Sequence, residues 1–197
     1  MTSQESRRTE ILRASAALFA RQGVASTTVR QIAAEVGMLS GSLFHHFPSK
    51  DAIVNEIVTD YLAVLLRSYR EVMTRDLSAR GRLEALITAS LRIAEADPHS
   101  TMIYQNEMSY IRDLPQYEAV RDAAVEVQGT WLAVIGAGRD DGTFRKDIEP
   151  GVFYRLIRDA VWLAVRWYRP DGSYTVDRLA ADCASVFLDG YAAFDDD

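Results

Sequence analysis

The chain has 197 residues, 48% of them hydrophobic and 25% charged, with a formal net charge of −6. Those values belong to a globular protein long enough to bury a core without metal or disulfide support. A single cysteine, Cys183, excludes an internal disulfide and a multi-cysteine zinc site. No apolar run is long enough to span a membrane and the first ten residues hold no apolar signal region, so the expected setting is the cytoplasm.

Helical periodicity runs through almost the whole chain, and strand-like alternation is sustained nowhere, so the expected fold class is all-α. The first helix is expected from Ser3 or Glu5 to Gln22, with Thr2 and Glu5 as a capping box and Leu12, Ala16 and Phe19 as its apolar stripe. Gly23 stops it. Thr27 is expected to cap a second helix carrying Val29, Ile32, Ala33 and Val36, which Gly37 ends. A third, two-turn helix is expected from Ser40 to His46, because Pro48 forbids continuation through Phe47. Ser49 then caps a fourth, running from Lys50 to about Arg75. Five longer helices follow: about Leu77 to Ala96, Ser100 to Arg112, Gln116 to Arg139, Pro150 to Tyr168 and Thr175 to Phe194.

Charge divides this array. Residues 1–50 hold six basic and three acidic residues, a balance of +3, whereas 51–197 hold sixteen basic and twenty-five acidic residues, a balance of −9. Phosphate affinity follows local charge, so the acidic total does not exclude nucleic acid. The second and third helices, joined at Gly37, have helix-turn-helix dimensions, and such a motif lays its second helix in the major groove. Leu43 and Phe47 are placed to face inward, leaving Gly41, Ser42, Phe44, His45 and His46 for a partner. Ser and His can bond base edges or phosphate, and Phe44 can meet a thymine methyl. Thr27, Thr28 and Lys50 stand at helix N-termini, where backbone amides favour phosphate. Adjacent His45 and His46 point about 100° apart on a helix, with no acidic or cysteine ligand near, so no metal site is expected. A helix pair with a glycine turn also occurs in bundles that never touch DNA.

The run Thr27-Thr28-Val29-Arg30-Gln31-Ile32-Ala33 to Gly37, then Gly41-Ser42-Leu43-Phe44-His45-His46-Phe47 and Ser49-Lys50, resembles the DNA-binding head of the TetR family of repressors. The likeness covers residues 8–53. It implies nine helices, a helix-turn-helix domain at 1–50, and a ligand-binding and dimerisation domain at 51–197. It also implies a homodimer through helices eight and nine and an inverted-repeat operator of double-stranded DNA. Carried over by position, the implied DNA contacts are Thr28, Arg30, Ser40, Gly41, Ser42, Phe44, His45, His46 and Lys50. Phe44 departs from the family's usual Tyr, so a hydroxyl contact to phosphate is missing.

Phe153 to Trp162, continuing through Arg166-Trp167-Tyr168-Arg169-Pro170-Asp171-Gly172, resembles helix eight of one subgroup, as do Ile103-Tyr104-Gln105 with Glu107 and Leu39-Ser40-Gly41-Ser42-Leu43. That subgroup represses ketosteroid catabolism in actinobacteria. The resemblance implies an effector that is a CoA thioester of the indanedione propanoate left by steroid ring degradation. A fatty acyl-CoA or another hydrophobic ligand is the alternative.

Arg158, Trp162 and Arg166 follow at i, i+4 and i+8 within an apolar helix and are expected on one face. A buried arginine needs an anion. A ligand phosphate or carboxylate would serve, with Trp162 stacking on a flat group; an acidic side chain across a dimer interface, with Arg155 and Asp159 paired, would serve equally. Tyr104, Gln105, Tyr110 and Trp131 are candidate cavity-lining residues or simply core, and Cys183 is a small buried hydrophobe. The helices eight and nine expected at the dimer contact offer Val161, Val165, Val186, Phe187 and Leu188.

A small helical enzyme acting on acyl-CoA is the competing class, and a helical interaction module without DNA binding a third. Catalysis needs a base beside a nucleophile, but two of the three histidines lie in the recognition segment and His99 follows a helix-breaking proline. The chain is therefore expected to be a non-enzyme without a cofactor.

Overall fold

A computed structural model describes residues 3–111, 115–170 and 172–190, with side chains described at 6–107, 116–170 and 172–190. Thr2, the expected helix ends Arg112 and Phe194, and the side chains of Glu5 and Tyr110 lie outside those residues. Among the described residues the protein is all-α, with nine α-helices: α1 Ser3–Gln22, α2 Val29–Glu35, α3 Ser40–Leu43, α4 Lys50–Met73, α5 Ala79–Ala96, α6 Pro98–Ile111, α7 Glu118–Asp140, α8 Pro150–Trp162 and α9 Val176–Asp189. Short 3-10 turns at Pro115–Tyr117 and Leu163–Arg166 complete the array. No helix among the described residues is long and apolar enough to cross a membrane.

The chain forms two compact units, one from 1–62 with 99–121 and the other from 63–98 with 122–197. In the first, α1 buries Ile11, Ser15, Leu18 and Phe19, spaced i, i+4, i+7 and i+8. Of the expected stripe, Ala16 and Phe19 are buried, whereas Leu12 is half-buried and Ile11 takes the buried place beside it. Ile32 and Ala33 of α2, Leu43 of α3, Phe47, and Ile53, Val54, Ile57 and Val58 of α4 are all buried in the first unit.

The second unit is built on α5, which buries Leu83, Leu86, Ile87 and Leu91. Its main neighbour is α9, running antiparallel to it: Arg80 near the start of α5 pairs with Asp189 at the end of α9, and Arg92 near the end of α5 pairs with Asp177 at the start of α9, both at 2.9 Å. These surface pairs fix register more than they add stability. Phe153 of α8 meets Phe187 of α9 edge-on, with ring centroids 6.1 Å apart. Val161 and Leu188, expected at a dimer contact, are instead fully buried inside this unit. The helical face left open comprises Val152, Arg155, Leu156, Asp159 and Ala160 on α8, while Val186 stands out from α9.

The start of α2 and the end of α8 differ from expectation. Thr27 is not the cap of α2; it is buried and its hydroxyl donates to the Gly23 carbonyl at 2.8 Å. Thr28 caps instead, its Oγ1 accepting from Gln31 N at 3.2 Å while Gln31 Oε1 accepts from Thr28 N at 2.8 Å, a reciprocal capping box. The eighth helix, expected to reach Tyr168, ends as α-helix at Trp162 and tightens into the 3-10 turn.

Candidate nucleic-acid interface and effector site

Two glycines in left-handed backbone shape the head. Gly23 (φ +83) ends α1 and Gly37 (φ +64) turns the chain from α2 into α3, conformations that a side chain resists. The third helix is shorter than expected, Ser40–Leu43, because His45 N and His46 N bond three residues back, to Ser42 O at 3.2 Å and Leu43 O at 2.9 Å. Leu43 and Phe47 are buried as the sequence pattern requires, leaving Gly41, Phe44 and His45 exposed and Ser40, Ser42 and His46 half-buried. Thr28 and Arg30 are exposed on α2. A recognition segment with small residues at its start and His at its end can approach a groove and bond to base edges.

Lys50, carried over as a DNA contact, has its ammonium bonded within the head. Its Nζ donates to the carbonyls of Val24 at 2.7 Å and Thr27 at 2.9 Å, holding the loop between α1 and α2. The ammonium is thus engaged in positioning α2, and the open cations of the head are Arg13, Arg21 and Arg30.

Two contributors were not picked out by pattern. Arg8 donates from Nη1 to the His46 carbonyl at 2.5 Å, pairs with Glu56, and lies over the Phe47 ring. It ties α1 to the recognition turn across 38 residues of sequence, a separation no helical period reports. Leu39, the N-cap of α3, is 79% exposed and offers no side-chain cap. An apolar residue so open at the start of α3 is a feature that only burial reveals.

The expected effector residues divide. Trp131 and Trp162 are wholly buried in the second unit with ring centroids 6.0 Å apart, flanked by Tyr154 at 6.3 Å and Tyr69 at 6.2 Å from Trp131. The Trp131 indole N–H finds no acceptor among the described residues, a cost that a buried donor carries until something accepts from it. Tyr104 is buried in the first unit against Tyr61, centroids 5.5 Å apart, and Gln105 is half-buried beside it in sequence.

The arginines are corrected more sharply. Arg158 is no buried cation: its side chain is 39% exposed and donates from Nε and Nη2 to Asp159 Oδ1 at 2.8 and 2.7 Å. Asp159 is thereby engaged by its chain neighbour, not by Arg155. Arg166 ends the 3-10 turn and is exposed, while Trp162 is wholly buried. Among the described residues no group of three His, Cys, Asp or Glu is placed to hold a metal.

Residues 11–57 match the bacterial regulatory proteins of the tetR family, and residues 76–191 match a tetracyclin repressor-like C-terminal domain. The chain is 42% identical over 192 residues to the HTH-type transcriptional repressor KstR2 of Rhodococcus jostii (strain RHA1), covering 98% of this chain and 94% of that protein. It is 37% identical over 185 residues to KstR2 of Mycolicibacterium smegmatis, covering 94% and 90%. The structure of the ketosteroid transcriptional regulator KstR2 of Mycobacterium tuberculosis shares its fold at a TM-score of 0.90 and 35% identity, covering 98% of each chain. The chain belongs to the TetR family of DNA-binding transcriptional regulators.

Proposed function

We propose that the protein is a repressor that reads an inverted-repeat operator as a homodimer and is released by a CoA thioester from the catabolism of the last two steroid rings. The observation that carries this reading is the likeness to repressors named KstR2 over nearly the whole of both chains. In this reading Ser40, Gly41, Ser42, Phe44, His45 and His46 enter the major groove, Thr28 and Arg30 hold phosphates, and Lys50 sets the loop that aims them. A four-residue helix spans too few base pairs for specificity alone, so a two-fold pair of heads is required.

The partner protomer covers the open face of α8 and α9, where Leu156 is 59% and Val186 74% exposed. Apolar side chains clustered so openly stabilise an assembly once they leave water. The ring system of the effector enters the cluster of Trp131 and Trp162, and its polar end accepts from the Trp131 indole N–H. Arg158 and Arg166, on the water side, suit the phosphates of CoA, which remain solvated there at little desolvation cost. Arg158 must exchange Asp159 for phosphate to do so.

The test is release of a labelled operator duplex, chosen from a random pool by the protein itself. The indanedione propanoyl thioester should release it, whereas the free acid and fatty acyl-CoA at equal concentration should not. Recovery of the thioester unchanged separates a sensor from an acyl-CoA enzyme. Release by fatty acyl-CoA alone replaces the steroid reading with the alternative effector.

A further inference from the structure

The loop between α1 and α2, residues 23–28, sets where α2 starts, and its backbone is held from several sides. Gly23 N donates to Phe19 O at 2.8 Å, and Thr28 N donates to Gln31 Oε1 at 2.8 Å; these partners are local. Val24 is different. Its side chain is buried, its carbonyl accepts from Lys50 Nζ, and its N–H donates to Glu107 Oε1 of α6 at 3.3 Å, from 83 residues away. Two helices thus grip one residue through its two backbone groups, α4 with a cation on the carbonyl and α6 with a carboxylate on the N–H.

Glu107 makes no ion pair among the described residues. A carboxylate placed beside a phosphate-binding head works against binding through its charge, so its presence there asks for a compensating duty. We propose that Glu107 is a positioning residue for operator binding: by holding the Val24 N–H it fixes the loop, and through the loop the start of α2 and the recognition segment. The claim rests on the DNA-binding reading above. A buried N–H deprived of its acceptor must turn toward another, and the loop would move with it. A charged acceptor makes the hold stronger than a neutral one would.

Charge and position give opposite signs, which makes the test decisive. Glu107→Leu removes both the negative charge and the acceptor, and Glu107→Gln removes the charge but keeps an acceptor. By anisotropy on the selected duplex, Glu107→Leu should bind roughly tenfold more weakly than wild type with an unchanged salt slope, since no phosphate contact is lost. Glu107→Gln should bind as tightly as wild type or more tightly. Glu107→Leu together with Lys50→Met should lose less than the two separate losses combined, because both act on Val24. Glu107→Leu binding as well as wild type, or Glu107→Gln falling as far as Glu107→Leu, would overturn the proposal. Amide hydrogen exchange in the wild-type protein gives a readout that does not depend on how the variants fold. The Val24 amide should exchange more slowly than those of its exposed neighbours Ala25 and Ser26, and an equal rate defeats the claim. A wild-type protein that enriches no duplex at all defeats the DNA-binding reading, whereas an unaffected Glu107→Leu defeats only the role of Glu107.

Discussion

The guanidinium of Arg8 lies 4.0 Å from the centroid of the Phe47 ring while donating to the carbonyl of His46. One side chain of the first helix therefore holds two consecutive residues at the end of the recognition segment, and Glu56 holds that side chain from α4. Arg8→Ala removes a cation–π contact and a charge-assisted bond to backbone, together about 1–3 kcal/mol. Thermal unfolding should show that loss. Arg8→Lys should recover only part of it, because an ammonium lacks the planar fork that engages the carboxylate and the carbonyl together.

Arg30 and Lys50 should separate in salt dependence. Arg30 is exposed on α2, so Arg30→Ala should reduce the slope of log affinity against log salt by about one unit. Lys50→Met should weaken operator binding with little change of slope, because its ammonium is engaged by the Val24 and Thr27 carbonyls. A slope that falls equally in both variants would place Lys50 on phosphate after all.

Leu39 should be read through thymine. Replacing thymines of each half-site one at a time by deoxyuridine deletes a single methyl group. If Leu39 packs on one such methyl, one replacement should weaken wild-type binding and leave Leu39→Ala indifferent. Additive losses at every position would show that this leucine reads no methyl.

Trp162 and Arg158 should differ in what their loss costs. Trp162 is wholly buried, so Trp162→Leu opens a void and should lower stability by about 2–4 kcal/mol, whereas Trp162→Phe should lower it less. Arg158→Met, at a half-exposed site, should leave the melting temperature nearly unchanged. Both Trp162→Phe and Arg158→Met should keep operator affinity and need more thioester for release. Release at the wild-type thioester concentration in both would move the effector site elsewhere.

Burial pushes the Cys183 thiol up to about 11. The thiolate is the reactive form, and raising the pKa keeps the neutral thiol through pH 8. Iodoacetamide should therefore alkylate the native protein about a hundredfold more slowly at pH 8 than the protein unfolded in guanidinium. Equal rates would place Cys183 in water.

The turns were legible because glycine and proline act locally. Gly23 and Gly37 each turn the chain where the pattern requires, and Leu43 and Phe47 are buried as their spacing implies. The end of α3 was not legible, since no residue type marks where His45 N and His46 N change to acceptors three residues back. Arg158 read as a buried cation because a helical period gives which face a residue occupies but not how far its tip reaches out. Its partner Asp159 is adjacent in sequence, a spacing that helical pairing rules pass over. The grip of Glu107 on Val24 and of Arg8 on His46 spans 83 and 38 residues, and only the tertiary fold brings such pairs together.

The pair formed by Arg8 and Glu56 bears on how the head can be exchanged between relatives. A seam cut after Lys50 would leave the buried positions of Ile53, Val54 and Ile57 to be supplied by a foreign helix, and would set Arg8 opposite whatever residue that helix carries at position 56. A transplant through Leu62 keeps those partners together but still trades away Glu107, leaving the Val24 amide to an unrelated side chain. Domain shuffling in this protein thus has a natural unit that is discontinuous in sequence, and a graft that moves 1–62 with 99–121 should keep its operator preference where the shorter graft loses it.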